Sequence, residues 1–124
     1  MTKGEIAKLN FQSGLNCAQA VVLAFKEEMG LSELELKKLI IGFGGGFARQ
    51  RLVCGAVSGM TMVLGYLKSD GNDKLAAYDI VKKACEEVKE QLGSIICSEL
   101  VSANKIPCDE ICKIVADVTA KYVK

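Results

Sequence analysis

Residues 52–67, LVCGAVSGMTMVLGYL, are a stretch of sixteen residues without a charged side chain. Apolar residues fill most of it, but Ser58, Thr61 and three glycines interrupt them. A helix that crosses a bilayer needs about 20 consecutive apolar residues. The stretch therefore predicts a buried helix, which ends near Gly71 and around which the other segments must pack.

The segments on both sides of this stretch have apolar residues at helical spacing. None shows the sustained alternation and flanking turn signals of a hairpin strand. We predict an all-α fold, a single-domain bundle of about five to six helices over residues 1–124. The predicted helices are 3–11, one capped by Asn16 and ending before Gly30, one capped by Ser32, the apolar helix, one over 72–92, and one beginning at Pro107.

Glycines interrupt the predicted helices at two places. The run from Gly42 to Gly46 ends the third helix and opens a glycine-rich loop before the apolar helix. Gly93 follows Leu92 in the position where glycine commonly closes a helix. The glycine run has neither a GxGxxG pattern after a strand nor the lysine-serine end of a P-loop, so a nucleotide site is not expected.

The charge balance and the absence of histidine exclude several classes of function. Lys and Arg number 16 and Asp and Glu 15, which gives a net charge of +1 and no field to gather nucleic acid or an anionic membrane. With no histidine, the chain lacks the usual general base and the commonest nitrogen ligand for metals. Six cysteines remain, and they point to sulfur chemistry.

The N-terminal residues predict the cellular compartment of the protein, which decides whether its cysteines stay reduced. Residues 1–10 alternate lysine and glutamate with apolar side chains and lack the apolar core of a signal peptide. We therefore expect the protein in the cytoplasm, where thiols stay reduced. There, six thiols favour metal binding, catalysis or core packing over permanent disulfides.

Five of the six cysteines lie at or near predicted helix ends or connectors. Cys85 instead belongs to the inward stripe of a helix, where cysteine is an ordinary small core residue. No CxxC pair occurs, which argues against a thioredoxin-like motif and against zinc ribbons. A shared site must therefore be assembled by the fold from dispersed thiols. The five are Cys17, Cys54, Cys97, Cys108 and Cys112.

Two groups of residues beside Cys54 can serve such a site. Arg49 and Arg51 are the only arginines and could offset the charge of clustered thiolates, although exposed loop arginines are commonly just solvated. The small residues Gly55, Ala56 and Gly59 allow either tight helix packing or the close approach of a cofactor. Both interpretations stay open at the level of the sequence.

The element from Cys54 to Gly59, CGAVSG, resembles the redox-active proteins named for a C, CGAxxG, C, C cysteine pattern. The stretch around Cys17 resembles the first element of that family, and the stretch around Cys97 resembles its third. Cys112 is the best match to the fourth cysteine, with Cys108 as a near alternative. The resemblance covers nearly the whole chain.

This resemblance implies a helical domain with four functional thiols, Cys17, Cys54, Cys97 and Cys112. They would act as redox thiols or as metal ligands that hold an iron–sulfur cluster, for which four thiolates are the usual complement. Gly55, Ala56 and Gly59 would admit the cofactor, and Arg49 or Arg51 would tune it. Haem is not implied, because the chain has no CxxCH motif and no histidine.

The function expected from this set is a small redox or electron-transfer module, such as a component of an oxidoreductase. A cofactor-free thiol–disulfide protein and a structural zinc-binding interaction domain are the alternatives. The partners expected are a redox partner protein and a second copy of the chain in a homodimer, without nucleic acid or membrane. The sequence does not identify the electron donor or acceptor.

Overall fold

The computed structural model describes all 124 residues and contains seven α-helices and no β-strand, which confirms the predicted all-α fold. Ile41–Phe43 forms a 3₁₀ turn after the fourth helix, and Glu99–Ala103 forms a π-helical turn between the last two. The helices are α1 Lys3–Gln12, α2 Cys17–Leu23, α3 Lys26–Met29, α4 Glu33–Ile40, α5 Gly55–Lys68, α6 Lys74–Leu92 and α7 Cys108–Val123.

Capping residues begin and end three of the helices where the sequence predicts. The Asn16 side chain accepts a hydrogen bond from the Gln19 N–H at the start of α2, and the Gln19 side chain caps the Asn16 N–H in return. The Ser32 hydroxyl accepts from the Glu35 N–H at the start of α4. Gly93 closes α6 in the left-handed conformation with a φ of 90°. Local hydrogen bonding thus sets these boundaries.

Two predicted helices have different limits in the structure. The second is divided into α2 and α3, because Ala24 and Phe25 bond to the carbonyls three residues back and tighten the chain there. The apolar helix begins at Gly55 rather than at Leu52, with Cys54 as its N-cap residue. Leu52 and Cys54 instead use their backbone groups to pair with the segment between α6 and α7.

Helix α2 lies at the centre of the bundle, and all seven of its residues are buried. It packs against α1, α4, α5 and α7, while α6 covers the outer side of α5 and α7. Burial of this apolar surface is the main term that stabilises such a fold. None of the helices combines the length and the apolar character that crossing a bilayer requires.

A short antiparallel backbone pairing connects the segment before α5 with the segment after α6. The Cys54 N–H donates to the Ile95 carbonyl at 2.8 Å, and the Cys97 N–H donates to the Leu52 carbonyl at 2.6 Å. Val53 and Ile96 form a single β-bridge between these bonds. The pairing therefore holds Cys54 and Cys97 on neighbouring backbone segments.

The glycine-rich loop before α5 has an unusual left-handed backbone. Arg49 N–H donates to the Gly44 carbonyl and Arg51 N–H to the Gly45 carbonyl, both at 3.1 Å, so the loop is held by its own hydrogen bonds. A positive φ costs a non-glycine residue about 1–2 kcal/mol. Several residues here accept this cost, with φ between 53° and 65°: Phe47, Ala48, Arg49 and Arg51.

Candidate functional site

Four cysteines from four separate segments line one small cavity of about 30 Å³, which we call the thiol cavity. Its other walls are largely apolar, and it contains no carboxylate and one charged side chain, that of Arg51. The fold has therefore gathered dispersed thiols into one site. The residues that line it are Cys17, Cys54, Cys97, Cys108, Gly45, Arg51, Leu100, Val101 and Ile111.

Each of these thiols stands at the start of a structural element. Cys17 is the first residue of α2, Cys54 caps α5, and Cys108 is the first residue of α7. Cys97 lies just before the π-helical turn and is positioned by the pairing with Leu52. Cys17, Cys54 and Cys97 are 8%, 4% and 5% exposed, whereas Cys108 is only half-buried.

Cys112 lies one turn further along α7 and does not line the thiol cavity. It is fully buried, and its thiol is 3.8 Å from the carbonyl oxygen of Cys17, to which it donates. The structure thus brings Cys108, the alternative of the sequence analysis, onto the cavity wall, and places Cys112 behind it. The ligand role of Cys112 stays a prediction.

Cys85 is remote from this group. It lies in the middle of α6, where it is half-buried and packs against the edge of the core. It does not line the thiol cavity. It therefore offers a matched control for substitutions at the clustered thiols.

Gly55 makes room for the Cys17 thiol. A Cβ atom at Gly55 would stand 2.5 Å from the Cys17 Sγ and 2.7 Å from the Phe43 carbonyl oxygen. At Gly59, one turn on, a Cβ would stand 2.9 Å from the Ala18 carbonyl oxygen of α2. Close helix packing therefore explains Gly59, and close approach to a thiol explains Gly55.

The two arginines of the loop have different surroundings. The Arg51 guanidinium donates from Nη1 to the Cys97 Sγ at 3.6 Å, and this hydrogen bond raises the pKa of Arg51. Arg49 does not line the thiol cavity but lines a larger open cleft beside it. The sequence prediction did not distinguish these two positions.

Burial favours the protonated form of two of the four clustered thiols, those of Cys54 and Cys108, in the metal-free protein. Burial, with a smaller contribution from the neighbouring Cys17, raises the pKa of Cys54 to about 12, and the N–H groups of Val57 and Ala56 oppose this shift. Burial also raises the pKa of Cys108 and of Cys112, again with a contribution from Cys17. Thiolates at these positions thus need a compensating positive charge.

Alkaline pH is expected to destabilise the reduced, metal-free protein. A cysteine in the unfolded chain has a pKa of about 8.5, whereas burial raises the pKa of Cys54 to about 12. Between these values the unfolded chain loses a proton that the folded chain keeps, so the free energy of unfolding falls as pH rises, by about 1.4 kcal/mol per pH unit for each such thiol. Urea unfolding between about pH 7 and 10 measures this slope.

A Cys54→Ala variant provides the control for this pH dependence. Its slope is expected to be smaller by the contribution of one thiol, because its side chain does not titrate. A stability that stays flat across this pH range in the unmodified protein, or an unchanged slope in the variant, would contradict the assignment of a raised pKa to Cys54.

No group of three or more cysteine, aspartate or glutamate side chains surrounds a single point closely enough to hold one metal ion. A tetrahedral zinc ion needs its thiolates about 2.3 Å from the metal. The clustered thiols therefore share a cavity without forming a mononuclear metal site in their present positions.

Comparison with known families finds one match. The family model described as "Putative redox-active protein (C_GCAxxG_C_C)" matches residues 15–122, which include every residue of the thiol cavity. That description writes the second motif as GCAxxG, whereas this chain has the cysteine before the glycine, in CGAVSG from Cys54 to Gly59. Comparison with curated proteins and with solved structures finds no match for the chain.

Proposed function

The chain belongs to this redox-active protein family, and from that premise we propose that the four thiols of the thiol cavity bind an iron–sulfur cluster, through which the protein transfers electrons. The observation that carries the proposal is the convergence of four cysteines, from three helix starts and a connector, on one small cavity. Cys108 is the fourth ligand in this proposal, because it lines the cavity and Cys112 does not.

The donor atoms in the cavity support a thiophilic cofactor. No carboxylate lines it, and the chain contains no histidine. Soft thiolate ligands select iron–sulfur clusters, zinc or copper(I) over magnesium or calcium. Four thiolates are the usual complement of the common cluster types.

The thiols would have to rearrange to bind either a zinc ion or a cluster. No three of them surround one point closely enough to hold a metal ion. The cavity of about 30 Å³ has room for a water molecule but not for a cluster. The thiols must therefore move apart to admit a cluster, and Cys108 is the one among them that is only half-buried and also lines the open cleft.

The residues around the four thiols would set the reduction potential of a cluster bound there. A bound cluster supplies one-electron transfer. Gly55 leaves the Cys17 thiol free of steric contact, and Arg51 places a positive charge beside Cys97. The N–H groups of Ala56 and Val57 lie at the start of α5 beside Cys54, where they favour its thiolate. Hydrogen bonds and positive charge at the ligand sulfurs favour the reduced state of a cluster.

A cofactor-free thiol–disulfide protein is the second candidate. The pairing of 52–54 with 95–97 holds Cys54 and Cys97 on adjacent segments, as disulfide formation requires. Oxidation of two thiols to one disulfide would release two electrons and two protons, which the disulfide of a partner protein would accept as it becomes two thiols. Burial opposes this function at Cys54, because it raises the pKa of that thiol to about 12.

Metal and sulfide analysis of protein purified without oxygen tests these candidates. Iron and acid-labile sulfide in equal amounts, with visible absorbance that dithionite bleaches, would establish the iron–sulfur function. Zinc alone would assign the site to structural metal binding. Protein without metal, in which the thiols form a reducible disulfide, would establish the second candidate.

Serine substitutions at α7 are expected to identify the fourth ligand. Cys108→Ser should lose most of the iron and sulfide per chain, because it removes a thiol from the cavity wall. Cys112→Ser should retain them, because that thiol donates to a carbonyl behind the wall. Iron, sulfide and the visible spectrum of both variants, purified without oxygen, measure the difference. Cofactor loss in Cys112→Ser with retention in Cys108→Ser would reverse the assignment.

A further inference from the structure

An open cleft of about 650 Å³ adjoins the thiol cavity on the surface of the protein. It lies between the turn after α1, the glycine-rich loop and the start of α7. Its volume is in the range of about 300–1,000 Å³ that is typical of small-molecule sites. Cys17 and Cys108 line both the cleft and the thiol cavity, so a molecule in the cleft would touch the thiols directly.

The charge of this cleft is positive and uncompensated. Arg49 and Arg51, the only arginines of the chain, both line it, and no aspartate or glutamate does. Neither arginine takes part in any of the six ion pairs of the structure. Arg51 reaches the Cys97 thiol, but Arg49 has no role in the thiol cavity. Its guanidinium is free for a ligand in the cleft.

The backbone holds these arginines in a defined arrangement. Both have positive φ, 65° at Arg49 and 63° at Arg51, and both donate their N–H groups to carbonyls within the loop. Residues held in such conformations are common at ligand-binding sites. The guanidinium groups thus project from a fixed loop, and a ligand need not order it.

Three large apolar side chains form another part of the lining. Phe11 and Leu15 come from α1 and the turn after it, and Ile41 begins the 3₁₀ turn after α4. The one neutral polar side chain of the lining with an amide, that of Asn16, is already bonded to the Ile41 carbonyl and the Gln19 N–H. An inorganic anion would leave the apolar side chains of the cleft in contact with water. A neutral apolar molecule would leave the two arginines without a negatively charged partner. The two halves of the cleft match a molecule with an anionic group and an apolar body.

We propose that this cleft is a binding site for a small organic anion, a phosphate ester or carboxylate with an apolar body. The anionic group bonds to Arg49 and Arg51, and the body lies on Phe11, Leu15 and Ile41. The ligand covers the cleft side of Cys108. This binding does not depend on what the thiols hold, so the failure of the iron–sulfur proposal would leave it standing.

Titration of the reduced, metal-free protein with phenyl phosphate tests the site, with amide chemical shifts as the readout. Shifts are expected at Leu15, Gly45 and Ala48. Inorganic phosphate and phenol should each bind at least about tenfold more weakly, because phosphate lacks the apolar body and phenol lacks the anionic group. Saturating phenyl phosphate should also slow the alkylation of Cys108 by iodoacetamide.

A variant in the cleft and a control variant outside it make the test specific. Arg49→Gln should weaken phenyl phosphate binding about tenfold, since it removes a charged hydrogen-bond donor. Lys82→Gln removes the same charge from an exposed position on α6 and should leave the affinity unchanged. Absence of binding, shifts confined to residues outside the cleft, or equal affinity in Arg49→Gln and the unmodified protein would each overturn the proposal.

Discussion

Cys54→Ser is expected to abolish stable binding of iron and sulfide. Cys54 is 4% exposed and lines the thiol cavity, where it caps α5 and is fixed by its N–H bond to Ile95. A serine hydroxyl does not replace a thiolate as a ligand of a thiophilic cofactor. Iron, acid-labile sulfide and visible absorbance per chain, after purification without oxygen, measure the loss.

Cys85→Ser is the matched control for this substitution. It makes the same chemical change at a half-buried position on α6, away from the cavity, so iron and sulfide should remain. Thermal unfolding of both metal-free variants shows whether each still folds. Full retention of iron and sulfide in folded Cys54→Ser protein would refute the ligand assignment.

Gly55→Ala is expected to lower the free energy of unfolding by about 2 kcal/mol, because the added methyl group meets atoms that have little room to move. Its Cβ would stand 2.5 Å from the Cys17 Sγ and 2.7 Å from the Phe43 carbonyl oxygen. The Cys17 side chain or the backbone around Phe43 must therefore shift. The variant should also lose cofactor, because the displaced thiol is a wall of the site.

Gly65→Ala, in the same helix, separates this steric effect from the helix propensity of alanine. A Cβ at Gly65 would meet no atom within 4 Å, so the substitution should stabilise the protein by about 0.5–1 kcal/mol. Urea unfolding of both variants gives the comparison. Equal stabilisation by the two substitutions would show that Gly55 is not needed for close approach to Cys17.

Helix identity could be predicted from the sequence because it depends on local signals. Asn16, Ser32 and Gly93 set helix boundaries through hydrogen bonds and backbone conformations within a few residues. The start of α5 could not be predicted in the same way. Leu52 and Val53 have apolar side chains that fit a helix, but their backbone pairs with Ile95–Cys97, a contact between segments distant in sequence.

The sequence alone also could not decide between Cys108 and Cys112, because their difference depends on contacts between distant segments. The two residues are one helical turn apart on α7, so spacing places both on one face and cannot rank them. Their difference depends on the depth of α7 against α2, where Cys112 meets the Cys17 carbonyl and Cys108 meets the cavity. The family resemblance favoured Cys112, with Cys108 as the near alternative, and that assignment stays a prediction.

The left-handed loop had no clear signal in the sequence. The glycines around Gly44 indicated a break after α4, and the structure has the turn there. Positive φ at residues such as Phe47 and Ala48 is rare and is imposed by the hydrogen bonds of the whole loop. The open cleft is formed by that loop, so the sequence could not separate the position of Arg49 from that of Arg51.

The redox partner protein and the homodimer stay predictions.

The wide separation of Cys17, Cys54, Cys97 and Cys108 along the chain has a consequence for the unfolded protein. A group that stays bound to all four thiols as the chain unfolds would close three successive loops and act as a cross-link that limits the conformations of the unfolded chain. The cofactor would then contribute chain entropy to stability, beyond its local bonds. Its removal would widen the unfolded ensemble and lower the melting temperature of helices that never touch it.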